Sequence, residues 1–135
     1  MPAYGGLYNS NPENYTMLLG SGQTVELPET MPNNETTYSP TDSITVDEAG
    51  DYQLCYTMDA SASLATSVTV AARQNGSTID ATSQTKSLSL SGDTAFGTCT
   101  IVTLAAGDVV DLYISSGLAA TVTANNADLR LVKLS

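Results

Sequence analysis

An all-β fold of antiparallel strands, arranged as a sandwich or barrel, is what this sequence predicts, and three observations carry it. Wherever apolar residues cluster they alternate with polar ones, the period-2 signature of strands with one face on a core. Glycine, asparagine and aspartate recur between those runs as turn chemistry, at the roughly 8–12-residue spacing of short strands. Helix signals are almost absent, and serine and threonine make up roughly a quarter of the chain.

Along the chain, Asn9 to Pro40 holds Pro12, Pro28, Pro32 and Pro40, with brief apolar runs at Met17–Leu19 and Val25–Leu27. Proline cannot donate to a ladder, so edge strands and surface loops are expected here. The Asp47-Glu48-Ala49-Gly50 turn leads into a strand in which Tyr52, Leu54, Tyr56 and Met58 alternate with Gln53, Cys55 and Thr57. Ala60–Ala65 is a loop of small residues. Val68 and Val70 alternate with Thr69 and run into Asn75-Gly76. Both turn residues tolerate the positive φ of a type I′ turn, which predicts a hairpin of Val68–Arg73 with Thr78–Ala81. Leu88 and Leu90 flank Ser89, and Ser91-Gly92-Asp93 makes the next turn. Ala106-Gly107-Asp108 precedes Val110, Leu112 and Ile114, which alternate with Asp111 and Tyr113. Ala124-Asn125-Asn126 turns the chain into Leu129 and Leu131, alternating with Asp128, Arg130 and Val132. No linker or internal repeat interrupts this order, so 1–135 is one domain.

Composition then narrows the function. The 135 residues carry a formal charge of −10 and no histidine. Such a surface repels nucleic acid and anionic membranes. The missing imidazole excludes Ser-His-Asp and Cys-His sites and any histidine-bearing zinc site. No secretory leader follows Met1-Pro2, and no apolar run approaches the ~20 residues that span a bilayer, so no membrane insertion is expected. Asp108 and Asp111 flank an ordinary turn-to-strand junction, and serine is too abundant for its nearness to Lys86 or Lys133 to mean a Ser-Lys site. No enzyme and no cofactor are expected. Asp42, Asp47, Glu48 and Asp51 are close enough to invite a calcium reading, but they lack EF-hand spacing, and solvated acidic turns are the plainer explanation. Cys55 and Cys99 lack metal-ligand spacing; one bridge, two buried thiols and a redox pair all stay open.

Four segments in order carry a resemblance. Ala49-Gly50-Asp51-Tyr52-Gln53-Leu54-Cys55-Tyr56, Val68–Gly76, Thr103–Leu112 and Asn126–Leu131 resemble successive motifs of the tumour necrosis factor and complement globular-head superfamily. Within it, the Ala3–Asn9 start looks closest to the C-terminal domains of bacterial collagen-like exosporium glycoproteins of the BclA type. The resemblance implies a ten-strand, two-sheet jelly roll assembling as a homotrimer that caps a collagen-like triple helix on the spore surface, the exosporium. This chain contains no Gly-X-Y repeat, so the resemblance implies an excised head, with residues 1–2 a start added for expression. Adhesion to a host or glycan surface is a second role, through loops such as Asn9–Pro40 or Ala60–Ala65. A trimeric receptor-binding tip, of a phage fibre or cell-surface adhesin, is the alternative.

In that topology the Tyr52–Met58 strand lies beside Gly97–Leu104 and Leu129–Leu134, and parity assigns the faces. Tyr52, Leu54, Tyr56, Met58, Thr100, Val102, Leu104, Leu129 and Leu131 face the core. Gln53, Cys55, Thr57, Cys99, Ile101, Thr103, Arg130, Val132 and Leu134 face out, a surface apolar enough to favour cover by another subunit. Tyr4, Leu7 and Tyr8 add an outer strand to this sheet, Tyr4 and Tyr8 packing within or across subunits. Cys55 and Cys99 share the outer face of adjoining strands. Directly opposite in a non-hydrogen-bonded pair, their Cα atoms would lie about 4.5 Å apart, the lower end of disulfide range. A bridge is not part of the general family pattern, and two buried thiols near the subunit contact are the favoured expectation.

Overall fold

The computed structural model describes residues 2–18, 21–89 and 92–135. Leu19 of the Met17–Leu19 run, Leu90, Ser91 of the Ser91–Asp93 turn, and Met1 lie outside the described residues.

Two antiparallel sheets pack face to face. The first contains β1 (Tyr4–Asn9), β2 (Glu13–Met17), β4 (Glu29–Thr30), β7 (Gly50–Ala62), β11 (Thr94–Leu104) and β13 (Ala120–Lys133). Its order is β11-β7-β13-β1-β4, with β2 alongside the first half of β13. The second contains β3 (Gly22–Thr24), β5 (Thr36–Thr37), β6 (Ser43–Val46), β8 (Thr66–Gln74), β9 (Ser77–Thr78), β10 (Gln84–Leu88) and β12 (Val109–Ser116). Its order is β10-β8-β12-β6-β5, with β3 on β12 and β9 on β8. The resemblance implies ten strands; the described residues hold thirteen, because the proline-rich segment pairs briefly at β3, β4 and β5.

The core lies where parity places it. Tyr52, Leu54, Tyr56, Met58, Leu104, Leu129 and Leu131 are buried from the first sheet, and Val68, Val70, Leu112 and Ile114 from the second. Tyr56 crosses that core and donates its hydroxyl to the carbonyls of Thr82 (2.5 Å) and Val70 (3.2 Å). A buried phenol needs such acceptors, and these tie the sheets together.

Three expectations are corrected. Ala60–Ala65 is not all loop: β7 runs to Ala62, with Ala60 and Ala62 buried and Ala62 opposite Val122. Alternation continues through side chains too small to signal it. The hairpin at Asn75-Gly76 forms, with φ of 52° and 83°, but its return strand stops at Thr78. Asp80–Thr82 is a single 3-10 turn, closed where the buried Thr82 hydroxyl donates to Ile79 O (2.6 Å) and accepts from Ala72 N–H (2.9 Å). β10 then resumes the pairing with β8. Finally, Ala124-Asn125-Asn126 is not a turn. It is a β-bulge inside β13, where one extra residue shifts the register against β7.

These pairings give the sandwich two distinct ends. Tyr4 pairs with Val132, and Asp51 N–H donates to the carbonyl of Ser135, so both chain termini share one end with the Asn75-Gly76 and Ala105–Asp108 turns. The β2–β3, β7–β8 and β12–β13 turns occupy the other.

Candidate functional site

The outer face of the first sheet is built row by row from the register. Ile101, Gln53, Val132 and Tyr4 stand side by side across β11, β7, β13 and β1. The next row is Cys99, Cys55, Arg130 and Gly6, and the one after it Gly97, Thr57, Asp128 and Tyr8. Leu134 lies just beyond β13, its N–H donating to Asp51 O at 2.7 Å. Cys55, Cys99, Ile101, Arg130, Val132, Leu134, Tyr4 and Tyr8 therefore occupy one continuous surface. Ile101 is 67% exposed, Val132 44% and Leu134 52%, while Tyr4 and Tyr8 are half-buried.

Cys55 and Cys99 are joined in a disulfide, with Cα atoms 4.1 Å apart. Sequence reasoning favoured free thiols. The structure has a bond because β7 and β11 are in a register that sets the two residues directly opposite each other. Polar groups frame the apolar centre. Thr103 donates to Asp51 at 2.7 Å, Thr57 donates to Asp128 at 3.0 Å, and the Arg130 guanidinium lies 3.7 Å from the Asp128 carboxylate.

One participant carried no signal in the sequence. Met31 sits in the proline-rich segment, without alternation, yet its sulfur covers Gly6 so closely that an added Cβ would lie 2.5 Å from it. Tyr38 holds it there. The Gly6 N–H donates to the Tyr38 hydroxyl, which donates to the Met31 carbonyl, both at 2.8 Å. Burial pushes the Tyr38 hydroxyl above its ordinary pKa, so this relay stays neutral. Beside Met31 the face is hollowed twice. One cavity of about 380 Å³ lies between Tyr8 and Asp128, and one of about 250 Å³ between Tyr4 and Val132.

Elsewhere several polar side chains are committed to structure. Arg73 holds Asp111 through two bonds of 2.7 and 2.8 Å and stacks 4.0 Å over the Tyr113 ring. Lys86 donates to Ala95 O at 2.7 Å, and Lys133 lies 3.8 Å from Glu48. Of the four acids considered for calcium, Asp42 accepts from Leu27 N–H, Asp47 from Thr37, Asp51 from Thr103, and Glu48 faces Lys133. They disperse, and among the described residues no three acidic or cysteine side chains gather as a metal site.

A two-sheet antiparallel sandwich whose last strand lies between β7 and β1 has a jelly-roll fold. Solved structures agree in fold. Murine APRIL superposes with a TM-score of 0.67 at 14% identity, covering 99% of this chain and 100% of that one. The Eiger TNF from S. frugiperda gives 0.68 at 12%, covering 100% and 92%, and the globular domain of zebrafish complement 1qA gives 0.59 at 13%, covering 99% and 97%. No curated protein sequence matches the chain. The family model described as the BclA C-terminal domain matches residues 6–135, and the chain belongs to that family.

Proposed function

We propose that this domain is a non-enzymatic structural head that assembles as a homotrimer and caps a collagen-like stalk on the spore exosporium. The observation that carries the reading is the apolar outer face. Ile101, Val132 and Leu134 stand in water on a sheet whose other side already fills the core. At roughly 25 cal/mol per Å² of apolar surface removed from water, covering that face with another copy is favoured. The disulfide stiffens its centre and the hollows beside Met31 give it relief.

Membership of the BclA C-terminal family supports the stalk and its location. For the stalk alone, the geometry adds that the N-terminal strand begins at one end of the sandwich, Tyr4 opposite Val132, so a preceding segment leaves from that end. The mechanism is registration. Collagen-like chains nucleate slowly and out of step, and a head that trimerises first holds three chain ends in line. Self-association works against charge, since each copy carries −10. Eight of the fourteen acids sit in turns and loops, where water and salt screen them, while Asp51 and Asp128 border the face itself.

The test is a fusion of the head to a Gly-Pro-Pro repeat placed before residue 1. With the head present, triple-helix refolding after a thermal jump becomes independent of chain concentration. Refolding that keeps the concentration dependence of the free repeat contradicts the capping role.

A further inference from the structure

We propose that the Cys55–Cys99 disulfide is a thiol-exchange site: a small external thiolate bonds the Cys99 sulfur, and Cys55 leaves as a thiolate beside Arg130. No basic residue lies near either cysteine in the sequence. The fold supplies one, since Arg130 on β13 pairs in register with Cys55 on β7. Cys99 is exposed and Cys55 half-buried. Among disulfides the exposed ones tend to be the labile or regulatory ones.

The register decides which sulfur is attacked. Displacement at sulfur runs in line, the incoming thiolate approaching from behind the sulfur it bonds. The bond spans from β7 to β11, so approach to Cys55 comes over β13, where Arg130 stands in the same row. Approach to Cys99 comes from the far side of β11, the last strand of its sheet. That side is closed only in part. Gln84 brackets Gly97, accepting from its N–H (2.9 Å) and donating to its carbonyl (3.1 Å), and Lys86 donates to Ala95 O (2.7 Å). The Cys99 N–H points to the same side as that of Gly97, and among the described residues no strand or side chain bonds it there. The edge is therefore open at Cys99, and Gly97 has no side chain to bar a small nucleophile.

The step balances without an oxidant. One S–S bond breaks and one forms, and the electron pair of the old bond leaves with Cys55. A leaving thiol departs faster as its thiolate is stabilised. Residues directly opposite on neighbouring strands hold their Cβ atoms about 5 Å apart, which brings the Arg130 guanidinium within reach of the Cys55 sulfur. Asp128, 3.7 Å from Arg130, offsets part of that charge, and Asp51 and Asp59 are the other ionised groups on the outer side of β7. Those acids and the net charge of −10 disfavour an anionic thiol, so the incoming group is neutral or cationic. An adduct on Cys99 stands between Gly97 and Ile101, on the surface proposed for assembly. Exchange therefore belongs to the unassembled chain and governs whether that face can close. This consequence alone rests on the proposed trimer.

The test treats the native protein with cysteamine at about pH 8, where a thiol of pKa near 8.5 is partly ionised, and quenches with excess iodoacetamide. Peptide mass mapping is expected to find cysteamine on Cys99 and the alkyl group on Cys55. Glutathione, an anionic thiol, is expected to react more slowly at low salt. R130Q slows the exchange on the order of threefold, and R130K restores it. No adduct at thiol excess, an adduct on Cys55, glutathione outpacing cysteamine, or equal rates in R130Q and the wild type overturns the proposal. Light scattering on the isolated adduct tests the consequence for assembly: the single-chain mass supports it beside a wild type that trimerises, and a trimer of adduct chains contradicts it. A wild type at the single-chain mass throughout contradicts the trimer instead, and the mapped exchange is decided separately.

Discussion

Cys55 and Cys99 close a chain segment with a sequence separation of 44 across two adjacent strands, so the bond acts chiefly by restricting the unfolded chain. In the chain-entropy picture a loop of that length is worth at most about 4 kcal/mol. C55S/C99S is therefore expected to lose about 2–4 kcal/mol in denaturant melts, and the unreduced, denatured wild type to titrate no free thiol. Two titratable thiols contradict the bond. Buried phenols make a second prediction. Burial raises both Tyr15 and Tyr56 to about 12, against about 10 in an unfolded chain. A folded value above the unfolded one means the neutral form is favoured in the native state. That stability is complete below pH ~10 and is lost as pH rises towards 12. Phenolate absorbance should show these two tyrosines ionising with alkaline unfolding, while Y56F, which leaves the Thr82 and Val70 carbonyls without their donor, costs about 1–2 kcal/mol. The facing of Cys55, Cys99 and Tyr56 was legible from parity once the resemblance set their strands side by side, whereas Tyr15 lay in a segment expected to be edge strands and loops. Whether the two sulfurs bond was not legible, because that depends on register between strands 44 residues apart, which no local pattern encodes.

The Asn75-Gly76 hairpin and the Ala105–Asp108 turn are clasped together at one end of the sandwich. Asp108 accepts from Asn75 Nδ2 (3.0 Å), Gln74 Nε2 (2.8 Å) and Ala105 N–H (2.8 Å), while Asn75 Oδ1 accepts from Val109 N–H (2.9 Å). Those donors, the Asn75 amide foremost, hold the Asp108 carboxyl below its ordinary pKa. A folded pKa below the unfolded one adds stability that is complete above pH ~3.9 and disappears as pH falls through the folded value. D108A is expected to lose about 1–3 kcal/mol at neutral pH and to show a flatter acid limb in thermal melts. An unchanged midpoint at pH 7 would show that the clasp does not contribute. Here the strong turn signals of Asn-Gly and Gly-Asp were readable in the sequence, as were the long central strands. Weak signals misled in a consistent way. Alanines at 60 and 62 hid the end of β7, and Asn125-Asn126, turn chemistry by composition, became a bulge because the sheet on both sides of β13 imposed pairing. Met31 was invisible, since its position depends on Tyr38 and Gly6 rather than on its own neighbours.

The proposed assembly sets apolar gain against electrostatic cost. Three copies of a chain carrying −10 repel one another, so association should strengthen with added salt as the Debye length falls to about 8 Å at physiological ionic strength. The fold was legible because its motifs occur in order along nearly the entire chain. The open side of β11 was not, because which strand ends a sheet depends on pairings across the whole chain. The measurement that decides most is mass by light scattering across a concentration series, for the wild type and for I101D/V132D. The wild type should hold about 42 kDa, three times the 14.0 kDa chain, and the variant should fall to the single-chain mass with its disulfide and strand content intact. A wild type at the single-chain mass throughout, or a trimer that survives both aspartates, would contradict the assignment of this face to assembly.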